Sequence, residues 1–413
     1  MPDLQTQNPP KRIPRTTFIG LFIANMAAML GMGILLPILT PFAKQLGASG
    51  AIVGVIFAGY ALARGLFSPF FGRISDRVGR KNFMLVGLAL YALLALGYSQ
   101  LHSVLLLAVL WFFQGAASAM VTPIAQSYIG DITPVGQEGR IMNLFYLGQF
   151  GGIAIGPVIG GYLADHVSMV APFYVMTIAA VLGFVLVYFV VAKAPSATHA
   201  DEDEKPEFID SFKTVVKDRK MKGILYYIVG RGFYRWGFNS FFPIYAVTIA
   251  SLSKSQVGLI ISSYMVTGTL FQYPFGSLAD RFSKHRSEMV AIGGGFAAVS
   301  MLLVPMVEHM TWLIILVVIM GIFSAVSRAS TVAIRTERGR YYGQGAVTGV
   351  FTAGFSAGQV LGPVGFGIIT QILNIPASFY IGALVGLLTT GLSYWYLWYQ
   401  PKSTKSEINL SSR

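Results

Sequence analysis

Two arginines lie close together inside one long apolar stretch of the chain. The stretch reads YYIVGRGFYRWGFNSFFPIYA over residues 226–246, and Arg231, Arg235 and Asn239 recur in it at four-residue spacing. On a helix this spacing places the three side chains on one face. A guanidinium carries a permanent positive charge and a planar set of N–H donors that matches carboxylates and phosphates. The pattern therefore predicts a binding site for an anionic or zwitterionic compound.

Composition predicts the elements that must position these arginines. Hydrophobic residues make up 54% of the 413-residue chain and charged residues 11%, with a mean hydropathy of +0.63, which is outside the range of soluble globular proteins. Twelve apolar runs are long enough to cross a bilayer core of about 30 Å as helices, and they lack the two-residue alternation of a β-barrel. They lie at about residues 17–42, 51–71, 82–99, 104–125, 141–163, 169–191, 223–248, 256–275, 289–306, 311–333, 346–371 and 377–398. The sequence therefore predicts an all-α polytopic membrane protein.

The basic residues are distributed unevenly between the two ends of these runs. Of the 30 Lys and Arg residues, only Lys44 and Lys254 fall in turns on one side, whereas most of the others fall in the termini and in the turns on the opposite side. This bias predicts that both termini are cytoplasmic. The same bias accounts for the net charge of +13, which follows from the topology and favours contact with anionic lipids. The charge therefore does not indicate nucleic acid as a partner. We expect a multi-pass protein of the cell (inner) membrane.

The two halves of the chain share landmarks at a shift of about 206 residues. Pro37 falls on Pro243, and the pair Gly156-Pro157 falls on Gly362-Pro363. The segment FGRISDRVGRK at 71–81 returns as FGSLADRFSKHR at 275–286, and both copies are expected to form turns between spans. We therefore predict a six-helix bundle over residues 1–192, a cytoplasmic linker with an amphipathic helix over 193–221, and a second six-helix bundle over 222–413.

Other residues within the spans join the candidate site. Arg64 is a third arginine inside a run, where a charge is costly unless it faces water or a partner. Asn25 and Met29 are the repeat counterparts of Arg231 and Arg235, so we expect them to face these arginines, and Tyr234 lies between the two arginines in sequence. Arg328 lies near the end of its run and is expected to extend toward the membrane surface.

The first copy of the repeated segment is similar to a family signature of the form G-x-L-x-D-R-x-G-R-K, with Ile74 in place of Leu. The matching residues are Gly72, Asp76, Arg77, Gly79, Arg80 and Lys81, and the second copy keeps Gly276, Leu278, Asp280 and Arg281. On these residues the chain resembles the major facilitator superfamily over essentially its whole length. The resemblance implies two pseudo-symmetric six-helix bundles around a central cavity, in a secondary transporter.

The same resemblance implies a gate at the cytoplasmic surface. Asp76 would meet the positive N-terminal end of span eleven, and Arg80 would pair with Asp131. In the second half, Asp280 would point toward span five, and Lys284 would pair with Glu337. Such ion pairs are weak enough to break during a transport cycle. The predicted gating residues are Gly72, Asp76, Arg77, Arg80, Asp131, Asp280, Arg281, Lys284 and Glu337.

Span five contains a glycine pattern, GGIAIGPVIGGYLAD at residues 151–165. Small residues at four-residue spacing allow helices to approach closely. The pattern resembles the G-x-x-x-G-P-x-x-G-G signature of drug:proton antiporters, which implies export. The predicted packing residues are Gly152, Gly156, Pro157, Gly160 and Gly161, with Gly362 and Pro363 as a looser echo in the second half.

The chain departs from these antiporters in two ways. They carry an Arg in an R-x-x-Q-G segment of span four, where this chain keeps Gln114 but has Trp111 at the Arg position. Gln114 is therefore a candidate binding residue. The 17 acidic residues all fall in predicted turns, the linker or the termini, so no mid-membrane carboxylate is available to carry a proton. Proton coupling follows from the resemblance alone.

The leading interpretation is an exporter of small amphipathic anionic or zwitterionic compounds, in the multidrug efflux class, working by alternating access. The alternatives are a lipid or lysolipid translocator on the same fold, an anion importer or proton symporter, and a non-transporting membrane receptor. An enzyme is not expected, because the chain has no Cys and shows no metal-ligand cluster and no nucleotide-binding loop. We expect a monomer without a cofactor, whose partners are its substrate, membrane lipids and, for a coupled transporter, protons.

Overall fold

The computed structural model describes residues 15–133, 137–192 and 214–398, and these residues form helices, turns and short connections. The helices of the first half are α1 Arg15–Leu35, α2 Leu39–Gln45, α3 Gly50–Val78, α4 Arg80–Tyr98, α5 Val104–Ile132, α6 Glu138–His166 and α7 Ala171–Val190. Those of the second half are α8 Arg219–Thr248, α9 Lys254–Leu270, α10 Gln272–Arg281, α11 Arg286–Leu303, α12 Met310–Tyr342, α13 Gln344–Ile372 and α14 Ile375–Trp398.

The chain crosses the fold twelve times, with α2 as a short extra helix and with α9 and α10 together forming one crossing. Ten stretches of the described residues are long and apolar enough to span a membrane. The crossing formed by α8 carries basic residues, and α9 is only 17 residues long, so neither meets that measure. The predicted fold class, an all-α membrane protein with two pseudo-symmetric bundles, is confirmed.

Several helices extend beyond the apolar runs that predicted them. α3 continues through Asp76 to Val78, and α12 continues to Tyr342. The segment 71–81 is therefore almost entirely helical, which corrects the predicted turn. Gly79 alone separates α3 from α4, with φ at +98°, a conformation that glycine adopts without strain. Polar residues at the ends of a span can remain helical, since apolar character marks only the part within the bilayer.

Prolines divide two of the predicted runs. The run predicted at 17–42 is interrupted after Leu35 by a turn around Pro37, and α2 begins at Leu39. The eighth run is interrupted at Phe271. Pro274 has no N–H to donate to Leu270, and its ring clashes with that carbonyl, so α9 ends there and α10 begins a new helix.

The two bundles meet along two seams, with α6 packed against α9 and α3 packed against α13. Within the bundles, α1 packs against α6 and α7, and α8 packs against α13 and α14. Most of the predicted linker lies outside the described residues. The described part is residues 214–221, and it includes Val215, which is buried among residues of the second bundle. The exact domain boundaries stay a prediction.

Among the described residues, the close backbone contacts between the bundles lie toward one end of the seams. We call this end the closed rim; it contains the start of α3 at Gly50, the end of α6 at His166, the start of α9 at Lys254 and the end of α13 at Ile372. A methyl group added at Gly50 would lie 2.8 Å from the carbonyl oxygen of Gly367 in the other bundle. The opposite end, the basic rim, contains the two copies of the repeated segment. Every hydrogen bond and ion pair between the bundles that the described residues show lies at the closed rim.

Candidate functional site: an arginine cavity between two rims

Three arginines converge on one small cavity between the bundles. Arg231 and Arg235 reach it from α8, and Arg328 reaches it from α12. We call this the arginine cavity; α6 and α9 complete its wall, with Phe150 and Tyr264 among the lining residues. Its volume is about 40 Å³. Since one water needs about 10–15 Å³ and a drug-sized ligand about 300 Å³ or more, the cavity has room for a charged group rather than for a whole compound.

The position of Arg328 corrects the prediction that its side chain extends toward the membrane surface. The sequence placed the end of its span near residue 333, close to Arg328. In the structure α12 spans Met310–Tyr342, so Arg328 lies near the middle of the helix. Its guanidinium stands 5.5 Å from the ring centre of Phe150, which belongs to the first bundle. The side chain is directed into the protein, and it adds a third positive charge to the site.

The arginines of the cavity have little compensation for their charge. Arg231 is only 6% exposed, and the Nε groups of Arg231 and Arg235 are buried without a hydrogen-bond partner among the described residues. Arg235 lies 6.0 Å from the ring centre of Tyr264, an attraction worth about 0.5–2 kcal/mol. The described carboxylates lie near helix ends or outside helices, so none of them enters the cavity. Buried charges without partners are costly, and a bound anion would remove that cost.

The remaining predicted binding residues lie in the interior but outside this cavity. Asn239 and Tyr234 are buried in α8. Arg64 is half-buried near the middle of α3. The structure therefore brings together Arg231 and Arg235 from the predicted set, with Arg328 in addition.

Asn25, Met29 and Gln114 belong to the first bundle. All three are buried, and the amide groups of Asn25 and Gln114 have no hydrogen-bond partner among the described residues. In the described helices α1 packs against α6 and α7, with little contact to α8. Asn25 and Met29 are not among the residues that line the arginine cavity, and the expectation that they face its arginines stays a prediction.

Sequence reasoning missed Phe150 and Ser324, which also line the cavity. One signal was available, because Ser324 precedes Arg328 by four residues and so shares its helix face. Phe150 had no signal, since it lies in another bundle and reaches the cavity only through the packing of α6.

Aromatic rings surround Trp111 in the interior of the first bundle. Trp111 is 2% exposed, and its ring centre lies 4.8 Å from that of Tyr60 and 5.9 Å from that of Phe57. The hydroxyl of Tyr60 in turn contacts the sulfur of Met32 at 3.6 Å. The first bundle therefore contains an aromatic cluster around Trp111 in its interior.

At the basic rim, each bundle forms its own ion pairs. Arg80 donates from Nε to Asp76 at 3.1 Å and forms an ion pair with Asp131, so the pair that the resemblance implies is present. Among the residues that the structure describes, the ion pairs of these two carboxylates stay within the first bundle. Added methyl groups at Gly72 and Gly276 would meet nothing within 4 Å, which shows that no other helix packs against these positions.

In the second bundle the partner of Glu337 is Arg286, at 3.2 Å, and not Lys284 as predicted. Arg286 also reaches Asp280, at 3.4 Å. Lys284 lies in the exposed turn Ser283–His285, whereas Arg286 begins α11 beside α12 and bridges the two acids. The other predicted gating residues, Arg77 and Arg281, are exposed at the ends of α3 and α10.

The glycines of span five have two different partners. Methyl groups added at Gly152, Gly156 or Gly160 would overlap the backbone of α1 in the same bundle. A methyl group at Gly161 would overlap the carbonyl of Lys254 in α9, across the seam. One motif therefore supports packing within a bundle through three glycines and closure of the rim through the fourth.

The second half repeats this arrangement. Gly362 packs against the backbone of Phe233 in α8. The carbonyls of Pro157 and Pro363, the prolines of the two glycine motifs, face glycines of the opposite bundle, with Pro157 against Gly258 and Pro363 against Gly54. Both seams of the closed rim are thus built from direct backbone contact.

Two bundles that meet around a central charged cavity, closed at one rim only, define a membrane transporter. The family model described as Major Facilitator Superfamily matches residues 21–253 and 228–412. The chain therefore belongs to the Major Facilitator Superfamily. This class of protein is not an enzyme, as the sequence predicted.

Similar proteins agree with this assignment. An MFS-type transporter of Methanocaldococcus jannaschii is 27% identical over 384 residues, covering 93% of this chain and 98% of its own. The quinolone resistance protein NorA of Staphylococcus aureus is 26% identical over 375 residues, covering 89% and 93%. A bacterial homologue of the human lysosomal transporter Spinster, solved in an inward-facing and unoccupied conformation, superposes with a TM-score of 0.80 at 12% identity, covering 94% of this chain and 97% of its own.

Proposed function

We propose that this protein is a secondary active exporter of small amphipathic compounds that carry an anionic or zwitterionic group. The observation that carries the proposal is the convergence of Arg231, Arg235 and Arg328 on one cavity without a described carboxylate. Guanidinium groups bind carboxylate and phosphate oxygens through paired, charge-assisted hydrogen bonds. The apolar part of the compound would contact the aromatic interior around Trp111.

We propose that the basic rim faces the cytoplasm, with both termini on that side, in the cell (inner) membrane. The bias of Lys and Arg toward this rim supports the orientation. In the state described here, contacts join the bundles at the closed rim, so cargo would enter from the cytoplasm. Rocking of one bundle against the other would then close the basic rim and open the closed rim.

Two observations support export over import. The span-five signature of this chain resembles that of drug:proton antiporters, and one similar protein is named a quinolone resistance protein. An anion importer would use the same cavity with the opposite flux. We further propose that one chain is sufficient for transport, in contact with membrane lipids and its cargo.

Protons are the proposed coupling ion, with carboxylates at the rims as the groups available to bind them. The candidates are Asp76, Asp131 and Glu337, all of which take part in ion pairs at the basic rim. A cargo phosphate or carboxylate that crosses in its protonated form would carry the proton in its own direction, which is the coupling of the alternative proton symporter and not of an exporter driven by proton entry.

Transport by purified protein in proteoliposomes tests this proposal. The cargo panel is radiolabelled octyl phosphate, octyl sulfonate, octyl glucoside and octyltrimethylammonium, which share a tail and differ in charge. We expect flux of the two anions and little flux of the cation, with loss of anion flux in Arg235→Ala. The matched control is Arg340→Ala, which removes an exposed arginine at the basic rim end of α12. Equal flux of all four compounds in the parent, or unchanged anion flux in Arg235→Ala, would refute the proposal.

A further inference from the structure

The first turn of α9 is completed by a residue of the other bundle. Ser253 caps α9 and forms a capping box with Gln256, which satisfies the Gln256 N–H. The N–H groups of Lys254 and Ser255 have no partner within the helix, as in any first turn. Both donate to the carboxylate of Asp165 at the end of α6, at 3.2 Å and 2.6 Å.

Asp165 makes further contacts with the same turn. The hydroxyl of Ser255 donates to its carboxylate at 2.7 Å, and the ammonium group of Lys254 lies 3.5 Å from it. All these contacts cross from one bundle to the other. A carboxylate at a helix N-terminus is also favoured by the helix dipole. Asp165 therefore holds the start of α9 through several charge-assisted interactions.

The other seam contains a neutral version of the same contact. Ser49 caps α3 and accepts from Ile52, which leaves the N–H of Ala51 free within the helix. This N–H donates to the side-chain oxygen of Gln371 at the end of α13, at 3.2 Å. Gln371 follows Asp165 by the repeat shift of 206 residues, and Ala51 and Ser255 are both the second residue of their helices.

We propose that Asp165 is the principal gating residue of the closed rim and that Gln371 is its weaker counterpart. When this rim opens, the N–H groups of Lys254 and Ser255 lose the carboxylate and must be hydrated. Asp165 therefore favours the state in which the closed rim is shut and the basic rim is open. This inference does not depend on the cargo, because the contacts lie at the rim and not in the arginine cavity.

Distance measurements between the bundles test the inference without any cargo. The native chain has no Cys, so nitroxide labels at Val78→Cys and Tyr341→Cys report the opening of the basic rim from one position in each bundle. We would measure double electron–electron resonance in lipid nanodiscs. The ratio to be measured is that of molecules with a closed basic rim to molecules with an open basic rim. Asp165→Ala is expected to raise this ratio about tenfold or more, because hydrogen bonds to a charged group contribute about 1.5–3 kcal/mol.

Gln371→Ala is expected to raise the same ratio less, about two- to tenfold, since its bond is neutral. The exchanged variant, Asp165→Gln with Gln371→Glu, moves the charge to the other seam and should return the ratio toward that of the parent. Glu308→Ala, which removes an exposed carboxylate at the same rim, is the control and should leave the ratio unchanged.

Two results would overturn the inference. One is an unchanged ratio in Asp165→Ala while the melting temperature of the protein stays that of the parent. The other is an equal increase in Glu308→Ala. If Asp165→Ala does not fold, Gln371→Glu tests the inference by itself. This variant adds a second carboxylate at the closed rim, so it is expected to lower the ratio. An unchanged ratio in Gln371→Glu would contradict the proposal.

Discussion

A single methyl group at Gly161 is expected to change which rim of the transporter is open. Gly161 lies at the closed rim, where an added Cβ would overlap the carbonyl oxygen of Lys254 in the opposite bundle. Both overlapping atoms belong to helix backbones, so the helices must move apart. Overpacking of this kind costs about 1–3 kcal/mol. The cost applies only while the rim is closed, since opening separates α6 from α9.

The expected result follows from that energy. Gly161→Ala should shift the ratio of the two states about 5- to 150-fold toward the state with a closed basic rim. The labels at Val78→Cys and Tyr341→Cys suit this measurement because both positions are exposed, at 59% and 73%. Their mean distance should decrease in the variant.

The control lies in the same helix. A methyl group at Gly151 would meet nothing within 4 Å, so Gly151→Ala introduces the same residue and the same change in helix propensity without a clash. Its distance distribution should match that of the parent. If Gly161→Ala also matches the parent, or if both variants shift equally, direct contact between α6 and α9 does not set the equilibrium.

Three further predictions follow from the described contacts. Gly160→Ala would overlap Ile34 within one bundle and should lower the melting temperature without changing the ratio of the two states; a changed ratio would contradict the division of roles within the motif. Arg286→Ala removes the bridge between Asp280 and Glu337 and should reduce stability by about 1 kcal/mol, as expected for ion pairs at a wet surface, whereas Lys284→Ala should have no effect in the same melting assay. Octyl phosphate should bind more weakly as the pH falls through about 6, where a phosphate monoester loses its second charge, whereas the binding of octyl sulfonate should not change over this range. If the affinities of the two compounds changed with pH in the same way, the charge of the cargo would not determine its binding.

The fold and the two helix motifs could be predicted from the sequence because both rest on local patterns. Apolar run length predicted the twelve crossings, and glycine spacing predicted close helix packing in span five. The ends of the helices could not be predicted in this way. α3 and α12 continue as helices beyond the bilayer, where hydropathy gives no signal, and this error misplaced Arg328.

The arginine cavity could be predicted only in part. Arg231 and Arg235 share one face of one helix, so their spacing revealed them. Arg328 and Phe150 come from other helices, and only the packing of α6, α8 and α12 brings them together. The partner of Glu337 was assigned to Lys284 for a similar reason, because the sequence does not show which of two neighbouring cations begins the next helix.

The closed rim was not visible in the sequence at all. Asp165 was counted among the acids in predicted turns, and its partners in α9 lie in the other bundle. Their sequence separation of 89 and 90 residues gives no periodic pattern. The repeat shift relates Asp165 to Gln371, but a carboxylate and an amide do not align as similar residues.

The central claim is that the arginine cavity binds an anionic group, and equilibrium binding tests it most directly. Radiolabelled octyl phosphate and octyltrimethylammonium would be titrated onto the protein in nanodiscs, with the parent, Arg231→Ala, Arg235→Ala, Arg328→Ala and the control Arg340→Ala. We predict that the phosphate binds the parent and the control equally, that each cavity variant raises its Kd about tenfold or more, and that the ammonium compound competes poorly. Equal Kd values across all five proteins, or tighter binding of the cation than of the phosphate by the parent, would contradict the account.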